Sequence, residues 1–382
     1  MKLKYCTRCV MPNTKPDLHF NDQGVCDACQ SAERKDTTID WEARRKEFEE
    51  IIERFRSKDK NNYDCIIPVS GGKDSHYQTF TIRKVYGLRP LCLCFEPTFQ
   101  TPRGKRNLDN LGNFDVDTLL IKKNPLTYKK MVIEGFKRVG DSEWPNHLGI
   151  FTMTVRYAVA LNIPLLIWGE NSQLEYGGPP VARDRNCLDR RWLEEFGGLL
   201  GNRVEDMIGV DGLTRDDLFQ YIYPSLDELQ RVGVTGLFLG YYFKWDQRAQ
   251  VEKMKEYGFE VRDDGPIEGT YTNYENLDDH TVGLHDYLKF TKYGFGRATD
   301  HACLDIRNGR ITREEGLRLV NMYDGKYPYY GVKMFSEYSG MTKAEIDAII
   351  DQFTNKLIFK TDDRGNVIKD IAGNLVMRYA RE

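Results

Sequence analysis

The chain has 382 residues, 40% of them hydrophobic and 30% charged, with a formal net charge of −3. This is the composition of a soluble globular protein with room for roughly two or three domains, and its slight acidity argues against a dedicated nucleic-acid binder, whose phosphate contacts bring a basic surplus. No apolar run reaches the ~18 residues of a membrane helix, and Met1-Lys2-Leu3-Lys4-Tyr5-Cys6 has no signal-peptide core, so a cytoplasmic protein is expected.

The first 35 residues are poor in apolar side chains and rich in turn formers such as Pro12-Asn13, Asn21-Asp22 and Gly24. They carry Cys6-Thr7-Arg8-Cys9 and Cys26-Asp27-Ala28-Cys29, two CxxC pairs with sixteen residues between them. Such a segment cannot bury a core of its own. Four thiolates on one zinc ion would supply the missing folding free energy. Four buried free thiols or two disulfides are the alternatives, and the spacing favours zinc. Residues 1–35 are therefore expected to form a zinc knuckle on Cys6, Cys9, Cys26 and Cys29. The other cysteines, Cys65, Cys92, Cys94, Cys187 and Cys303, read as apolar core positions in a reducing compartment.

An amphipathic helix is expected over 40–56, within a segment 36–60. Asp40 is its N-cap, and Trp41, Phe48, Ile51, Ile52 and Phe55 recur at helical spacing. It reads as a brace between the knuckle and the main domain. From 61 to 264, short apolar strands at 65–69, 91–95, 118–121, 163–168 and 237–240 alternate with helical stretches near 75–86, 104–112, 126–139 and 147–161. Continuous apolar strands between helices predict an α/β fold with a parallel sheet covered on both faces. Residues 175–235, with Gly177-Gly178-Pro179-Pro180 and Gly197-Gly198, read as an insertion after the fourth strand. Residues 265–382 read as a mainly helical region for substrate or partner, with capping boxes Thr312/Glu315 and Thr342/Glu345. The second box introduces Ile346, Ile349, Ile350 and Phe353 on one face, and no internal repeat is evident.

Between the first strand and its helix lies Ser70-Gly71-Gly72-Lys73-Asp74-Ser75. Glycines let the backbone approach phosphate oxygens, the helix N-terminus offers amide donors, and two hydroxyls and a lysine add to them. It is not a Walker A loop, because Lys73 is followed by Asp74. At the end of the fourth strand, Gly169 and Glu170 lie where open α/β sheets bind ligands. Lys244 and Asp246, after the fifth strand, are candidate sugar-nucleotide contacts, as are Asn171, Tyr176 and Arg297. Arg307 is another, although charged residues on helices, Arg297 included, are usually solvated. His301 and Cys303 lack a matching pair of ligands and read as structural.

The six-residue loop resembles the SGGxDS signature of the PP-loop ATP pyrophosphatase superfamily, with its adenine-nucleotide alpha-hydrolase-like fold. The resemblance implies ATP binding by Ser70 to Ser75 and Gly169. It also implies charge stabilisation on departing pyrophosphate by Lys73 and magnesium held through Asp74. Glu170, from its place after the fourth strand, reads as a catalytic residue on magnesium or the substrate nitrogen, with a helix-capping carboxylate as the alternative. Three longer stretches narrow the likeness: Tyr5 to Pro12, Gly169 to Gly178, and Gly269-Thr270-Tyr271-Thr272-Asn273-Tyr274 through Leu277-Asp278-Asp279. The last continues to Lys292–Ala298 and Ile306-Arg307-Asn308-Gly309. These resemble the N-acetyl sugar amidotransferase family of bacterial surface-polysaccharide and flagellin-glycan pathways. That family is understood to turn the acetamido group of an activated sugar into an acetamidino group. No glutaminase is recognisable in the chain, so the resemblance implies that ammonia arrives from separate glutaminase and channel subunits, related to the histidine-pathway ammonia-transfer pair. A zinc-bearing tRNA thiolation enzyme of the same superfamily is the alternative. It would need catalytic cysteines near the loop and a basic face.

Overall fold

The computed structural model describes residues 3–57, 61–178, 186–188 and 199–381. Pro179-Pro180, Gly197-Gly198 and the side chain of Cys187 lie outside the described residues.

Six strands form one sheet: β1 Cys65–Pro68, β2 Pro90–Phe95, β3 Asp117–Ile121, β4 Leu165–Trp168, β5 Cys187–Leu188 and β6 Thr235–Phe238. Their spatial order is β3-β2-β1-β4-β6-β5. All neighbours are parallel except β5, which pairs antiparallel with β6. The five expected strands are thus the five parallel ones. The sixth, only two residues long, comes from the expected insertion. Side chains alternate across the pleat. Ile66, Leu91, Leu93, Phe95 and Leu166 join the helices Pro125–Val139 and Trp144–Leu161 through Met131, Phe136, Trp144 and Leu148. Cys65, Ile67, Cys92, Cys94 and Ile167 face the opposite way, onto Phe48, Ile52, Ile82, Phe114 and Met254. Cys65, Cys92, Cys94 and Cys303 are fully buried, as expected of core positions. β3 departs from the reading as a covered strand: it lies at the sheet edge and Leu120 is exposed.

The helix Trp41–Phe55 forms as expected, with Asp40 Oδ1 accepting from the amides of Glu42 and Ala43 at 3.0 and 2.9 Å. At its start it touches the cysteine-bearing segment, where Trp41 Nε1 donates to Lys35 O at 2.8 Å, but most of its apolar face lies elsewhere. Phe48 packs on Tyr86, Tyr242 and Phe243, so the helix belongs to the sheet's own cover. The knuckle rests instead on the C-terminal region: Cys6, Cys9, Val10 and Met11 share a core with Phe295, Ala302, Cys303 and Val320. The helix Asp27–Thr37 also runs straight through the expected boundary at residue 35.

Beyond residue 265 come helices Val282–Tyr293, Arg297–Arg307, Arg313–Tyr323, Tyr329–Ser339 and Lys343–Phe353. Thr342 and Glu345 make a full capping box. Thr312 caps Glu315 N, but the Glu315 carboxylate turns to Arg318, so that box is half made. A short bridged stretch follows, with the same turn used twice. Asp362 accepts from the amides of Arg364 and Asn366, and Asp370 from those of Ala372 and Asn374. Among the described residues, no helix is long and apolar enough to cross a membrane.

Candidate active site

Strand order places the site. β1 leads to β2 on one side, while β4 leads to β6 on the other, so the crevice opens between the carboxyl ends of β1 and β4. The loop at 70–75 follows β1, and Gly169-Glu170 follows β4. Gly71 has φ +91°, and a Cβ there would lie 2.8 Å from Gly104 O and 2.9 Å from Leu108 N. Only glycine meets both demands. Ser75 Oγ accepts from Ser70 N at 2.9 Å, which folds the loop onto the start of the helix Lys73–Phe80. Gly72 is its N-cap, so first-turn amides without intrahelical partners face the crevice and suit an anion. Gly169 lets the chain leave β4 against that helix, since a Cβ would lie 2.2 Å from Gln78 Nε2.

Lys73 is buried between two carboxylates, 2.8 Å from Asp74 Oδ2 and 2.7 Å from Glu275 Oε1. Burial pulls its ammonium down, but Asp74, Glu275 and Glu170 outweigh burial and hold it charged. Glu170 completes the group. Gln247 Nε2 donates to its Oε2 at 3.1 Å and to Tyr176 Oη at 2.9 Å. Burial, reinforced by the Asp74 charge, pushes the Glu170 carboxyl up to about 8, and burial also raises Asp74. Three carboxyl groups therefore crowd one ammonium, and a divalent cation that arrives with phosphate would favour their ionised forms. Asp74 and Glu170 are the residues that would face it.

Beside the loop lies a cavity of about 240 Å³, walled by Val69, Phe95 and Trp168 at the ends of β1, β2 and β4 and by Ser70 and Ser75. Its apolar walls and polar floor fit a nucleoside. Its far side holds a buried network that the sequence did not reveal. Thr281 Oγ1 lies 2.6 Å from Asp279 Oδ1 and 3.2 Å from Glu143 Oε1, and His285 Nδ1 is 2.8 Å from Asp141 Oδ1. Burial and the neighbouring Asp279 push the Glu143 carboxyl up to about 8 from an ordinary 4.5. A carboxyl raised by folding keeps its proton in the native state where the unfolded chain has lost it, so its stabilisation fades as pH rises towards 8. The melting temperature of the nucleotide-free protein should thus fall between pH 6.5 and 8, and Glu143→Gln, which cannot ionise, should flatten that slope. A slope unchanged in the variant would remove Glu143 as its source.

The four N-terminal cysteines converge as expected. Their sulfurs all lie within 4.8 Å of one another and all four residues are buried. Cys6 Sγ is 3.9 Å from Cys29 Sγ, and Cys9 Sγ is 3.7 Å from Cys26 Sγ. Disulfide sulfurs would stand ~2 Å apart, whereas a tetrahedral ion with bonds of ~2.3 Å sets sulfurs ~3.8 Å apart. The amides of Arg8, Cys9 and Cys26 point at Cys6 Sγ from 3.4, 3.5 and 3.2 Å, a donor set suited to thiolate. This group can hold a metal ion.

Of the candidate substrate contacts, only Tyr176 reaches Glu170. Lys244 turns to the surface and pairs with Asp36 at 2.5 Å. Asp246 caps the helix Gln247–Lys255 and pairs with Arg310. Asn171 caps the turn Ser172–Tyr176, and Arg297 is held in the C-terminal region by Asp286 at 3.0 Å. Arg307 does not face a sugar but the cysteine sulfurs. His301, expected to be structural, has Nδ1 at 2.6 Å from Thr270 Oγ1 and Nε2 at 3.8 Å from Glu275 Oε1, which places it beside the Lys73 group. Glu275 and Gln247 were not singled out from the sequence. Glu275 lies within the stretch 269–279, but nothing in its spacing signals that it returns to Lys73.

Residues 268–372 match the family described as LPS biosynthesis protein WbpG-like, C-terminal domain. The C-terminal region is therefore similar to that domain, and is called WbpG-like in that sense. It brings Glu275 onto the loop lysine and supplies Asp278, Asp279 and Val282 to the lining of the cavity. An uncharacterized protein from Methanocaldococcus jannaschii is 25% identical over 135 residues, 35% of this chain and 47% of that protein, so the match spans about half the length of that relative. Among solved structures, the NH3-dependent NAD synthetase of Campylobacter jejuni superposes with a TM-score of 0.29 at 10% identity, covering 58% of this chain and 97% of its own. The NMN synthetase of Francisella tularensis gives 0.26 at 13% identity, covering 57% and 96%. The U34-tRNA thiolase of Methanococcus maripaludis gives 0.25 at 10% identity, covering 89% and 97%. At such scores the reading rests on the strand order and the site, not on these superpositions.

Proposed function

We propose that this protein is a cytoplasmic ATP-dependent amidotransferase of bacterial lipopolysaccharide and O-antigen synthesis. It converts an acetamido group of a nucleotide-activated sugar to an acetamidino group and releases AMP and pyrophosphate. The observation that carries this reading is the meeting of the pyrophosphate-type loop with Glu275 of the WbpG-like domain. An amide carbonyl is a poor electrophile and its oxygen a poor leaving group. Transfer of AMP to that oxygen removes both obstacles. The loop amides and Lys73 hold the leaving pyrophosphate, where preorganised charge acts most strongly on the transition state. Asp74 would hold magnesium, which supplies further neutralisation of the phosphates when bound. Ammonia, delivered by separate glutaminase and channel subunits, then attacks the imidate carbon. Glu170, oriented by Gln247 and Tyr176, takes the proton that the new nitrogen sheds, and AMP leaves with the former carbonyl oxygen. Zinc is the ion we assign to the four cysteines, as a structural centre.

With ammonium as the nitrogen source, the unlabelled sugar should become about one mass unit lighter, and in a parallel run with isotope-labelled acetamido oxygen the label should appear in AMP. ADP as product, label retained in the sugar, or sulfur transfer to tRNA would overturn the proposal, the last in favour of a thiolation enzyme.

A further inference from the structure

We propose that the four-cysteine knuckle is a clamp on the segment 175–177 that follows Glu170, and that Arg307 is the positioning residue that carries metal occupancy to it. Arg307 is a single rigid fork with its two edges in two places. Its Nε lies 3.5 Å from Cys29 Sγ, and its Nη2 lies 3.7 Å from Cys9 Sγ and 3.9 Å from Cys26 Sγ. Its Nη1 donates to Glu175 O at 2.8 Å. A planar guanidinium cannot shift one edge without turning the other. Displacement of the sulfurs therefore moves the donor that holds Glu175, five residues beyond Glu170 and next to Tyr176.

The knuckle grips the same short segment independently. Lys35, on the helix that carries Cys29, forms a buried ion pair with Glu175. Lys15 Nζ donates to Gly177 O at 2.8 Å. Gly177, at φ +89°, passes so close that a Cβ would lie 2.5 Å from Leu18 Cδ1 and 2.6 Å from Asp27 Oδ1. Residues 175–177 are thus held by the knuckle and by the WbpG-like domain, while the Tyr176 hydroxyl faces Gln247 and Glu170. An ion that fixes four sulfurs in a tetrahedron also fixes the acceptors of Arg307. Without it, Arg307 loses that array, and the segment loses the contact that ties it to the WbpG-like domain. Ligand partners of this kind tune metal sites as the ligands themselves do. The inference is independent of which acceptor the enzyme takes.

Hydrogen exchange on the intact protein tests it. Removal of the ion with a chelator should speed exchange over residues 170–178 about tenfold while β1 and β2 stay protected. Arg307→Gln should loosen the same residues with the ion still bound, and chelator competition should show affinity for zinc lowered about 10–100-fold. Arg307→Lys should restore only part of either, because an ammonium cannot bridge both edges. Should Arg307→Gln fail to fold, Lys35→Met leaves the thiolates and Arg307 in place and should still speed exchange at 170–178. Unchanged exchange there on ion removal, in Arg307→Gln or in Lys35→Met would overturn the clamp, as would loosening that spreads at once over the whole sheet.

Discussion

Replacing Asp74 by alanine should reduce AMP formation by at least about 10²-fold, the usual loss when one preorganised charge contact of a transition state is removed. The fold should survive, because Lys73 keeps a second partner in Glu275. Lys73→Met should behave differently. It leaves Asp74, Glu170 and Glu275 facing one another without a cation, and unpaired buried charge costs about 3–5 kcal/mol. That variant should lose activity and also melt well below the parent. Parallel turnover and thermal unfolding measurements separate the two cases. If Asp74→Ala retained turnover, or if both variants melted with the parent, the assignment of the loop would fall.

Removal of Cys26, one of the four cysteines that can hold a metal ion, should have the other large effect. Cys26 and Cys29 flank the turn that starts the helix Asp27–Thr37, and backbone amides converge on the Cys6 sulfur. A structural four-thiolate zinc site is worth about 10–16 kcal/mol in small peptides, and the four sulfurs lie within the small core that seats this segment on the C-terminal region. Cys26→Ser should leave the protein short of one zinc per chain and open residues 3–35 to proteolysis, with the sheet intact. Zinc content and limited proteolysis read this directly. A full complement of zinc in the variant, or four freely titrating thiols in the parent, would refute the centre.

Local chemistry announced much of this. The CxxC pairs, the Gly-Gly-Lys-Asp loop and the apolar strands each declare themselves within a few residues, and the cysteines, the loop and the parallel sheet stand where their patterns put them. What the sequence hid are meetings across long separations. Glu275 returns to Lys73 from two hundred residues away, a pairing no spacing encodes. Arg307 looked like a solvated helix charge, and burial against sulfur depends on a neighbour folded far from it in the chain. Lys244 and Asp246 sat in the right place after β6 but found Asp36 and Arg310 first. A charged side chain near a strand end tells where the backbone is, not where the charge points. The edge strand β5 was invisible because two residues make no pattern.

The seat of the C-terminal region on Gly104 has a consequence for modularity. A Cβ at Gly104 would lie 2.4 Å from Asp278 Cα, and Thr101 N donates to Asp278 O at 3.0 Å. Gly71 in turn rests on Gly104 O. Three backbones touch there with no side chain between them to absorb a misfit. A chimera that grafts a foreign C-terminal domain onto this nucleotide-binding half would therefore have to match main-chain geometry rather than surface polarity. Shuffling the two halves freely is closed to this architecture, and they would have to change together.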